Sequence, residues 1–514
     1  MLRSSSNSAS ASVSGDAHLS AMTWREYHES TKHSAESLRR APNVLDWANM
    51  PDPFRHYEGV PVLDLPAHPP IPETPAPEVL HGVSGTTPAG DGPTFLSQLL
   101  FYSAAISASK RVPSTGYRYA LRVNPSSGNL HPSEFHFLTR GLQAWPDGLY
   151  HYRPSAHMAE QRALGGLEMK LAGSSAPIVF VLTSIAWREA WKYRDRAYRY
   201  CLHDMGHAWQ ALALAARAIG CDSFGVGHFP DDEVAQFCRL HEDEWPMLIV
   251  ELRGRSIPLR EPDASETVWY GGHANQLSKE RTAYTRIDEI HGATKLSKRA
   301  CRGISPAEPA PTGCGEIKLP PPASSRRAFG EVARVRRSAL DFLGGLQSMS
   351  LTQLSAILAA TTRPFFADFG SEHFIQLYLY AHRVDGLQPG VYRLWPERAE
   401  FEQIKSGDQR VAAAGLSLGQ ELAGNACVAF SMIGDFERAV RAHGDRGYRY
   451  VHFEAGAIGH RLYLAAEAFG LGATGVGAFY DEAVHRYLNL APEQGQVVYH
   501  FAIGHSIPDP RLEA

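Results

Sequence analysis

Two short polar stretches of this 514-residue chain carry side chains that could hold a ligand. The first, Pro125-Ser-Ser-Gly-Asn, comes shortly before the strand-like run Phe135-His-Phe-Leu. Pro, Ser, Gly and Asn in succession predict a tight turn that exposes amides and hydroxyls at a strand entrance. Two interpretations stay open, because such a turn can be purely structural or can cradle the heteroatoms of a ligand.

The second stretch is Arg336-Arg-Ser, which follows the run Phe329-Gly-Glu-Val-Ala. We predict that the two arginines and the serine open a helix. At a helix start, a phosphate can be held by charge, by bidentate hydrogen bonds and by free backbone amides. Basic residues at a solvated helix end are the alternative interpretation.

The elements that position these stretches belong to a long internal repeat. Residues 198–240 reappear without a gap as residues 448–490, at a constant offset of 250 residues. Both copies open with Tyr-Arg-Tyr, run through a helix that ends at a glycine, and then reach Gly-Val-Gly-x-Phe-x-Asp. One register held across a helix, a turn and a strand indicates the duplication of a whole domain.

The repeated helix carries small residues over much of its surface. Small side chains let two backbones approach closely, so the two helices are expected to pack on each other. Two copies joined in this way would imitate a homodimer, with a pseudo-two-fold axis between the halves. The small residues are Ala208, Ala211, Ala215 and Ala216 in the first copy and Gly456, Ala457, Gly459, Ala465 and Ala466 in the second.

The composition argues against several classes of protein. A net charge of −4 and the lack of a long basic run argue against a nucleic-acid partner, and no membrane span is visible. The six cysteines lack Cys-x-x-Cys spacing and are expected to be reduced thiols, while the histidines are too dispersed for a metal cluster. Residues 1–16 lack the apolar core of a secretory signal, so we predict a cytoplasmic location.

Composition also changes along the chain and predicts four segments. Residues 1–80 form an N-terminal tail and wrapping extension, residues 81–260 a first domain, residues 261–325 a linker and residues 326–514 a second domain. The linker is assigned because this segment is rich in Pro, Ser, Thr, Lys and Arg and includes Leu319-Pro-Pro-Pro.

Taken together, these features resemble the nitroreductase-like FMN flavoprotein superfamily, and within it the SagB/ThcOx-type dehydrogenases in a tandem-domain form. The resemblance rests on the order of Pro125-Ser-Ser-Gly-Asn, the repeated Tyr-Arg-Tyr and Gly-Val-Gly-x-Phe-x-Asp motifs and Arg336-Arg-Ser. It implies an α+β fold with an antiparallel-rich sheet flanked by helices in each of two tandem domains. It also implies an intramolecular pseudo-dimer, since family members are dimers that bind FMN at the subunit interface.

The resemblance implies a set of cofactor-binding residues. An Arg-x-Ser-type helix start that holds the flavin phosphate matches Arg336, Arg337 and Ser338, although the further basic residue often found two positions on is Leu340 here. A turn from the partner subunit touches the isoalloxazine and the ribityl chain, and it matches Pro125, Ser126, Ser127, Gly128 and Asn129. Backbone amides near flavin N5 and O4 match Gly475, Val476 and Gly477, and a C-terminal basic residue at the phosphate falls near His505.

The resemblance also suggests catalytic residues. In azoline-oxidising relatives, a Lys-Tyr pair before the interface helix is thought to act as the base, and the matching pairs here are Arg199-Tyr200 and Arg449-Tyr450. Arginine stays protonated in proteins, so the base would be the tyrosine, with arginine lowering the tyrosine pKa or holding an anionic substrate. We assign the role to Tyr200 and Arg199, which lie in the half that contains the Pro-Ser-Ser turn. A packing motif is the alternative.

The two halves lack complementary motifs. The first half has only a Gly-, Thr- and Pro-rich loop, residues 82–92, where the second has Arg-Arg-Ser. The second half has Phe366-Ala-Asp-Phe-Gly-Ser-Glu where the first has Pro-Ser-Ser-Gly-Asn. If phosphate grip and ring cradle come from opposite domains, one interface keeps both and the other lacks both. We therefore predict one FMN per chain.

The expected function is that of an FMN-dependent oxidoreductase or dehydrogenase. It would transfer a hydride between the flavin and a small organic or peptide-derived substrate. A degenerate flavin- or ligand-binding module without turnover is the alternative. No feature of the sequence singles out the flavin-consuming chemistry found in one branch of the superfamily.

Overall fold

The structure of the chain is a computed structural model, which describes residues 22–40, 44–86, 90–167, 174–263, 265–298, 307–370 and 373–513. The predicted tail at residues 1–16 and Cys301 lie outside the described residues. The five cysteines within them are free thiols. None of the described helices is long and apolar enough to cross a membrane.

The helices of both halves follow the expected order. They are α1 (Trp24–Ser30), α2 (Ala35–Arg40), α3 (Ala76–Leu80), α4 (Gly92–Phe101), α5 (Ala186–Tyr193), α6 (Ala197–Ala218), α7 (Asp231–Cys238), α8 (Thr285–Ala293), α9 (Phe329–Val335), α10 (Leu351–Thr361), α11 (Arg410–Leu416), α12 (Leu422–Asn425), α13 (Phe436–His443), α14 (Gly447–Ala468) and α15 (Asp481–Leu488). The repeated helix of the sequence is therefore α6 in one half and α14 in the other.

The strands alternate with these helices. They are β1 (Tyr57–Glu58), β2 (Val62–Asp64), β3 (Ile106–Arg111), β4 (Arg118–Arg122), β5 (Ser133–Thr139), β6 (Gly148–Arg153), β7 (Met158–Leu164), β8 (Ile178–Ser184), β9 (Asp222–Val226), β10 (Trp245–Arg253), β11 (Val268–Trp269), β12 (His273–Ala274), β13 (Ile317–Lys318), β14 (Met349–Ser350), β15 (Ile375–Ala381), β16 (Val384–Asp385), β17 (Gly390–Trp395), β18 (Glu400–Ser406), β19 (Val428–Gly434), β20 (Gly472–Val476), β21 (Gln496–Gly504) and β22 (Leu512–Glu513).

Each half contains one large antiparallel sheet. The strand order is β11-β7-β6-β5-β8-β10-β9 in the first half and β13-β18-β17-β15-β19-β21-β20 in the second. The central strands β8 and β19 are buried over their whole length because helices and neighbouring segments cover both faces. The matching order confirms two tandem domains of the α+β class.

The central helices α6 and α14 pack on each other, as their small residues predict. A side chain at Gly206 would lie 2.1 Å from the backbone oxygen of Phe453, and one at Gly456 would lie 2.1 Å from that of His203. Only glycine permits this approach, so the two helices touch through their backbones at equivalent points of the repeat. The contact produces the intramolecular pseudo-dimer.

The two halves are also linked at their edges. Strand β22, close to the C-terminus, pairs with β3 of the first half, with Leu512 opposite Lys110. Together with β4 these strands form a three-stranded sheet in the order β22-β3-β4. The C-terminal segment of the second domain is thus attached to a hairpin of the first.

The segment that the composition predicts to be a linker contains a folded helix, α8. Thr294, just after α8, accepts a hydrogen bond from Arg449 Nε at 2.8 Å, while Thr31, just after α1, accepts one from Arg199 Nε at 3.0 Å. The sequences Tyr27-His-Glu-Ser-Thr-Lys and Ile290-His-Gly-Ala-Thr-Lys are alike. Both helices therefore belong to the duplication, which the change in spacing concealed.

Candidate functional site

A cavity of about 330 Å³ lies between the two halves, and we call it the interface cavity. Its volume is at the lower end of the ~300–1,000 Å³ typical of ligand pockets. The first half contributes the 125–129 turn and Tyr200, and the second contributes residues 336–338 and 475–477. From the predicted set, the lining includes Pro125, Ser126, Ser127, Gly128, Asn129, Tyr200, Arg336, Arg337, Ser338, Gly475, Val476 and Gly477.

One end of the interface cavity is cationic. The guanidinium groups of Arg336 and Arg337 donate to backbone carbonyls of residues such as Val123 and Ser107. Arg336 Nη1 and Arg337 Nε are buried and have no hydrogen-bond partner in the described structure. Burial, together with repulsion from Arg336, lowers the pKa of Arg337 to about 10. A buried and a half-buried cation, each with an unused buried donor, favour an anionic ligand.

The local structure of this end corrects one prediction. Residues 336–338 do not open a helix; α9 ends at Val335, and Arg336 caps its C-terminus. The chain then becomes extended, because Ser338 forms a parallel bridge with Ala473 and the Ala339 amide donates to the Ala473 oxygen at 2.8 Å. The donors offered to an anion are therefore side chains and not the amides of a helix start.

Two further basic residues, Lys110 and His505, differ in their position relative to the interface cavity. Lys110 of β3 lines the cavity and forms a 2.9 Å ion pair with Asp509. His505 does not line the cavity; its Nε2 lies 2.9 Å from the Ser348 backbone oxygen. The nearby basic residue thus comes from the first half and is held there by the C-terminal segment.

The turn at residues 125–129 is fixed by one carboxylate. Asp204 of α6 accepts hydrogen bonds from Ser126 Oγ at 2.6 Å and from the Ser127 amide and hydroxyl at 3.0 and 2.9 Å. Gly128 and Asn129 both have positive φ, and Asn129 Nδ2 donates to the Ala120 oxygen at 2.9 Å. These contacts hold the hydroxyls and amides of the turn at the cavity wall.

A second buried carboxyl lies beside Asp204. Glu189 of α5 lies within hydrogen-bonding reach of Asp204, and its Oε1 accepts from Ser126 Oγ at 3.5 Å. Its Oε2 is buried and has no hydrogen-bond partner in the described structure. Burial and the neighbouring Asp204 hold the pKa of Glu189 well above its usual range. Burial also raises the pKa of Asp204 to about 6, against the opposing effect of the serine hydrogen bonds. The pair therefore keeps a proton to a higher pH than two isolated carboxyls would.

The opposite wall of the interface cavity presents backbone amides. Tyr463 holds Gly475 in place, because its hydroxyl accepts a hydrogen bond from the Gly475 amide at 2.9 Å. Gly477 and Ala478 line the cavity, and their backbone amides have no acceptor among the described residues. A side chain at Gly477 would lie 2.2 Å from the Tyr200 ring, so glycine is required here.

Tyr200 and Arg199 have different surroundings. Tyr200 lines the cavity and donates to the Gly477 oxygen at 3.0 Å, and burial raises its pKa although Arg196 opposes this. Arg199 is buried behind the wall, where it forms a 3.0 Å ion pair with Asp481. Arg199 is therefore not brought to the cavity.

Comparison with known proteins identifies the family. The sequence pattern of the nitroreductase family matches residues 104–255 and 335–505. The chain belongs to this family. It is thus a nitroreductase-like member of a family of oxidoreductases, with two family domains in tandem.

Individual proteins that are similar to the chain cover different shares of it. A putative nitroreductase, MJ1384 of Methanocaldococcus jannaschii, is 31% identical over 182 residues, which are 34% of this chain and 90% of that protein. The trifolitoxin-processing protein TfxB of Rhizobium leguminosarum bv. trifolii is 27% identical over 143 residues, 25% of this chain and 37% of TfxB. A crystal structure of a putative nitroreductase from Anabaena variabilis has a TM-score of 0.74 and 25% identity, over 94% of this chain and 99% of that one.

The nitroreductase duplication creates a second interface position, around Gly225, Gly227 and Tyr450, which we call the second interface. Residues 366–369 fill it. The Gly225 amide donates to the Phe366 oxygen at 2.8 Å, and Asp368 accepts from the amides of Gly227 and His228 at 2.7 and 3.0 Å. Phe369 stacks on Tyr450 with ring centroids 4.1 Å apart. The amides that stay open at the interface cavity are satisfied here within the chain.

Several site residues were missed by the sequence analysis. Asp204 and Glu189 carried no motif, although they lie 250 residues before Glu454 and Ala439, so the repeat itself marks them as differing between the halves. Lys110 could not be recognised, because only the pairing of β22 with β3 brings it to the arginines.

Proposed function

We propose that this chain is an FMN-dependent oxidoreductase that binds one FMN in the interface cavity. The observation that carries the proposal is the pair of buried, unpartnered donors on Arg336 and Arg337 at one end of a cavity whose other walls expose a serine turn and two open amides. The family membership of the chain supports an oxidoreductase, and the resemblance to SagB/ThcOx-type dehydrogenases supports FMN in particular.

The residues present fit the phosphate of FMN. Arg336 Nη1 and Arg337 Nε are available as donors, and Ser338 and Lys110 line the same cavity. A phosphate would neutralise the two cations whose pKa values are lowered by burial, which makes its binding favourable. The Arg-Arg-Ser stretch is thus the proposed phosphate grip, without a helix start.

The residues at the other walls fit the ring and the ribityl chain. Ser126, Ser127 and Asn129 offer polar atoms, while the amides of Gly477 and Ala478 are unused donors. When bound, FMN would supply a centre that accepts or gives a hydride. The amides of this chain would fix the orientation of the ring and favour negative charge on it, since they are preorganised donors.

Proton transfer is assigned to different residues than the sequence suggested. Tyr200 has a raised pKa and stays protonated at neutral pH, so it holds the Gly477 loop by its hydroxyl and is not a base. Asp204, with a pKa of about 6, can accept a proton from the cavity through the Ser127 hydroxyl that donates to it. Arg199 acts indirectly, by its ion pair with Asp481.

The substrate proposed is a small organic or peptide-derived molecule that exchanges a hydride with the flavin. The name of TfxB describes it as processing trifolitoxin, which favours a tailoring dehydrogenase. The alternative, a ligand-binding module without turnover, draws support from Leu340 and from the location of His505 outside the cavity.

The test is the FMN content of the purified and reconstituted full-length protein, measured after heat release. We expect about one FMN per chain, lost in Arg337→Ala and retained in the matched control Arg326→Ala, which changes an exposed arginine. Two FMN per chain would overturn the single composite site. No FMN after reconstitution would overturn the proposal, and bound FMN that no donor reduces would favour the module without turnover.

A further inference from the structure

A second, larger hollow opens beside the interface cavity, and we call it the side groove. Its volume is about 1,090 Å³, roughly three times that of the cavity, and the two share Tyr119, Gly128, Asn129 and His131 as lining residues. Its other walls are mostly apolar, from residues 47–54 and from the β3–β4 hairpin. The side groove thus leads from the surface to the 125–129 turn.

One wall of the side groove is the outer edge of β4. Four consecutive residues, 117–120, line the groove. Side chains alternate along a strand, so a run of consecutive residues exposes the backbone edge and not one face. In the sheet order β22-β3-β4, no strand of the described residues pairs with β4 on this side.

The direction of the backbone groups follows from two hydrogen bonds. The Val112 amide donates to the Tyr117 oxygen at 2.8 Å, so the backbone carbonyl of Tyr117 faces β3. Because backbone groups alternate in direction along an antiparallel strand, those of Arg118 and Ala120 face away from β3. Asn129 Nδ2, from the groove wall, donates to the Ala120 oxygen at 2.9 Å and agrees with this direction. The Arg118 amide and carbonyl and the Ala120 amide therefore face the groove.

Aromatic side chains flank this edge. Tyr117 and Tyr119 stack with ring centroids 6.3 Å apart, and Tyr117 is 50% exposed. Trp47, on the same groove, is 68% exposed and packs edge-on against Trp191 at 5.2 Å. Exposed aromatic surface that is held in place by its neighbours is typical of an interaction site.

We propose that the side groove binds an extended polypeptide segment, which adds as a strand to the free edge of β4 and places an apolar side chain against Trp47 and Tyr117. Strand addition satisfies the outward backbone groups of Arg118 and Ala120, and alternate side chains of the guest enter the groove. A small aromatic compound would contact the rings but leave the strand edge open, and open edges are usually blocked or paired.

The binding of a peptide here does not depend on redox chemistry. That the bound segment is the substrate, delivered past Gly128 to the interface cavity, rests on the proposed function. The two claims can fail separately, because peptide binding is measured without turnover and FMN content is measured without peptide.

The test uses the full-length protein reconstituted with FMN and a fluorescein-labelled peptide, Thr-Val-Thr-Phe-Thr-Val-Thr, with binding followed by fluorescence anisotropy. The control peptide has the same side chains but N-methyl groups on all of its backbone amides, so neither of its edges can donate to β4. We expect binding of the first peptide to be at least about tenfold tighter, since losing one or two hydrogen bonds of about 1 kcal/mol each changes affinity by that factor. Equal binding of both peptides, or of neither, would overturn strand addition.

Two variants of the protein test the same wall of the side groove. Ala120→Pro removes one outward amide and suits an edge strand, where proline is tolerated. Tyr117→Ala removes an exposed ring and leaves the backbone unchanged. Each is expected to weaken peptide binding about tenfold, whereas Val411→Ala, an 89% exposed residue of the other half, is not. Unchanged binding in Tyr117→Ala and in a folded Ala120→Pro protein, checked by its FMN content, would overturn the proposal.

Discussion

The interface cavity and the second interface are built from the same repeated elements but have opposite contents. At both, a tyrosine of the central helix lies beside a Gly-Val-Gly loop, Tyr200 beside Gly477 and Tyr450 beside Gly227. At the first, the loop amides are open; at the second, Asp368 accepts them and Phe369 covers the tyrosine. At the second interface, a carboxylate and an aromatic ring of the chain thus occupy the position that is equivalent to the one proposed for the flavin at the interface cavity.

The comparison separates framework from function. In both halves the arginine of Tyr-Arg-Tyr is buried and paired with an aspartate of the opposite half, Arg199 with Asp481 at 3.0 Å and Arg449 with Asp231 at 2.8 Å. An arrangement present at the filled interface as well as the open one does not require a cofactor. The residues that differ between halves, such as Asp204 and Arg337, are the ones assigned to the ligand.

The largest expected effect concerns the shared framework. Asp481→Asn and Asp231→Asn each leave two buried arginines without a charge partner, so each is expected to lower the free energy of unfolding by about 3–5 kcal/mol. Urea denaturation measures the change, and Asp232→Asn, on the surface beside Asp231, serves as the control. A large loss in only one of the two variants would contradict the equivalence of the two ion pairs.

The framework also predicts a pH dependence. The pKa values of Asp231 and Asp481 lie below their usual range because the paired arginines overcome the effect of burial. Each contributes stability above its unfolded-state pKa, and this contribution is lost as the pH falls through the lower, folded-state value. Acid unfolding of the wild-type protein should therefore begin below about pH 4 from these groups, and the Asn variants should lack this component.

The next effect concerns the filled interface. Phe369→Ala removes a buried ring that packs on Tyr450, with an expected loss of about 3–5 kcal/mol. FMN content should stay at about one per chain, because Phe366 and Asp368 of the variant still accept the amides of Gly225, Gly227 and His228. A second FMN bound by the variant would show that residues 366–369 alone exclude the cofactor.

The acid pair of Glu189 and Asp204 predicts a second pH dependence of stability, opposite in sign to that of Asp231 and Asp481. Glu189 and Asp204 both have folded-state pKa values above their unfolded ones, so the unfolded chain loses these protons first. The free energy of unfolding should therefore fall as the pH rises above about 4, up to about 6 for Asp204 and, for Glu189, until the pH passes its own raised pKa. Glu189→Gln keeps a donor to Asp204 and removes one charge, and it should flatten this fall. An unchanged slope of the free energy of unfolding against pH in Glu189→Gln, measured by urea denaturation, would contradict the assignment of this fall to the acid pair.

The smallest effect is expected from Ser338→Ala. Its hydroxyl lies 2.8 Å from the Tyr463 hydroxyl at the cationic end of the cavity. Loss of one hydrogen bond of about 1 kcal/mol should weaken FMN binding about fivefold without changing FMN per chain. Titration of the apoprotein with FMN measures this, and Ser348→Ala, outside the cavity, is the control. Equal weakening of FMN binding in Ser338→Ala and Ser348→Ala would contradict the placement of the phosphate beside Ser338.

The repeat predicted the duplication and the packing of α6 on α14, because a constant register and a pattern of small residues record local geometry and close backbone approach. The grouping of the Pro-Ser-Ser turn, the Arg-Arg-Ser stretch and the second Gly-Val-Gly loop was implied by the family resemblance, and these residues do line one cavity. The helix predicted at Arg336 was wrong, because a bridge from Ser338 to Ala473, distant in sequence, overrides local preference.

Which polar groups meet is visible only in the folded chain. Lys110 reaches the arginines through β22, Glu189 meets Asp204 across α5 and α6, and Asp368 takes the amides of the second interface. None of these contacts leaves a local pattern, since buried polar groups are satisfied by partners from anywhere in the chain. The repeat predicts two equivalent interface positions. Long-range hydrogen bonds to Asp368 fill one of them and leave the other open.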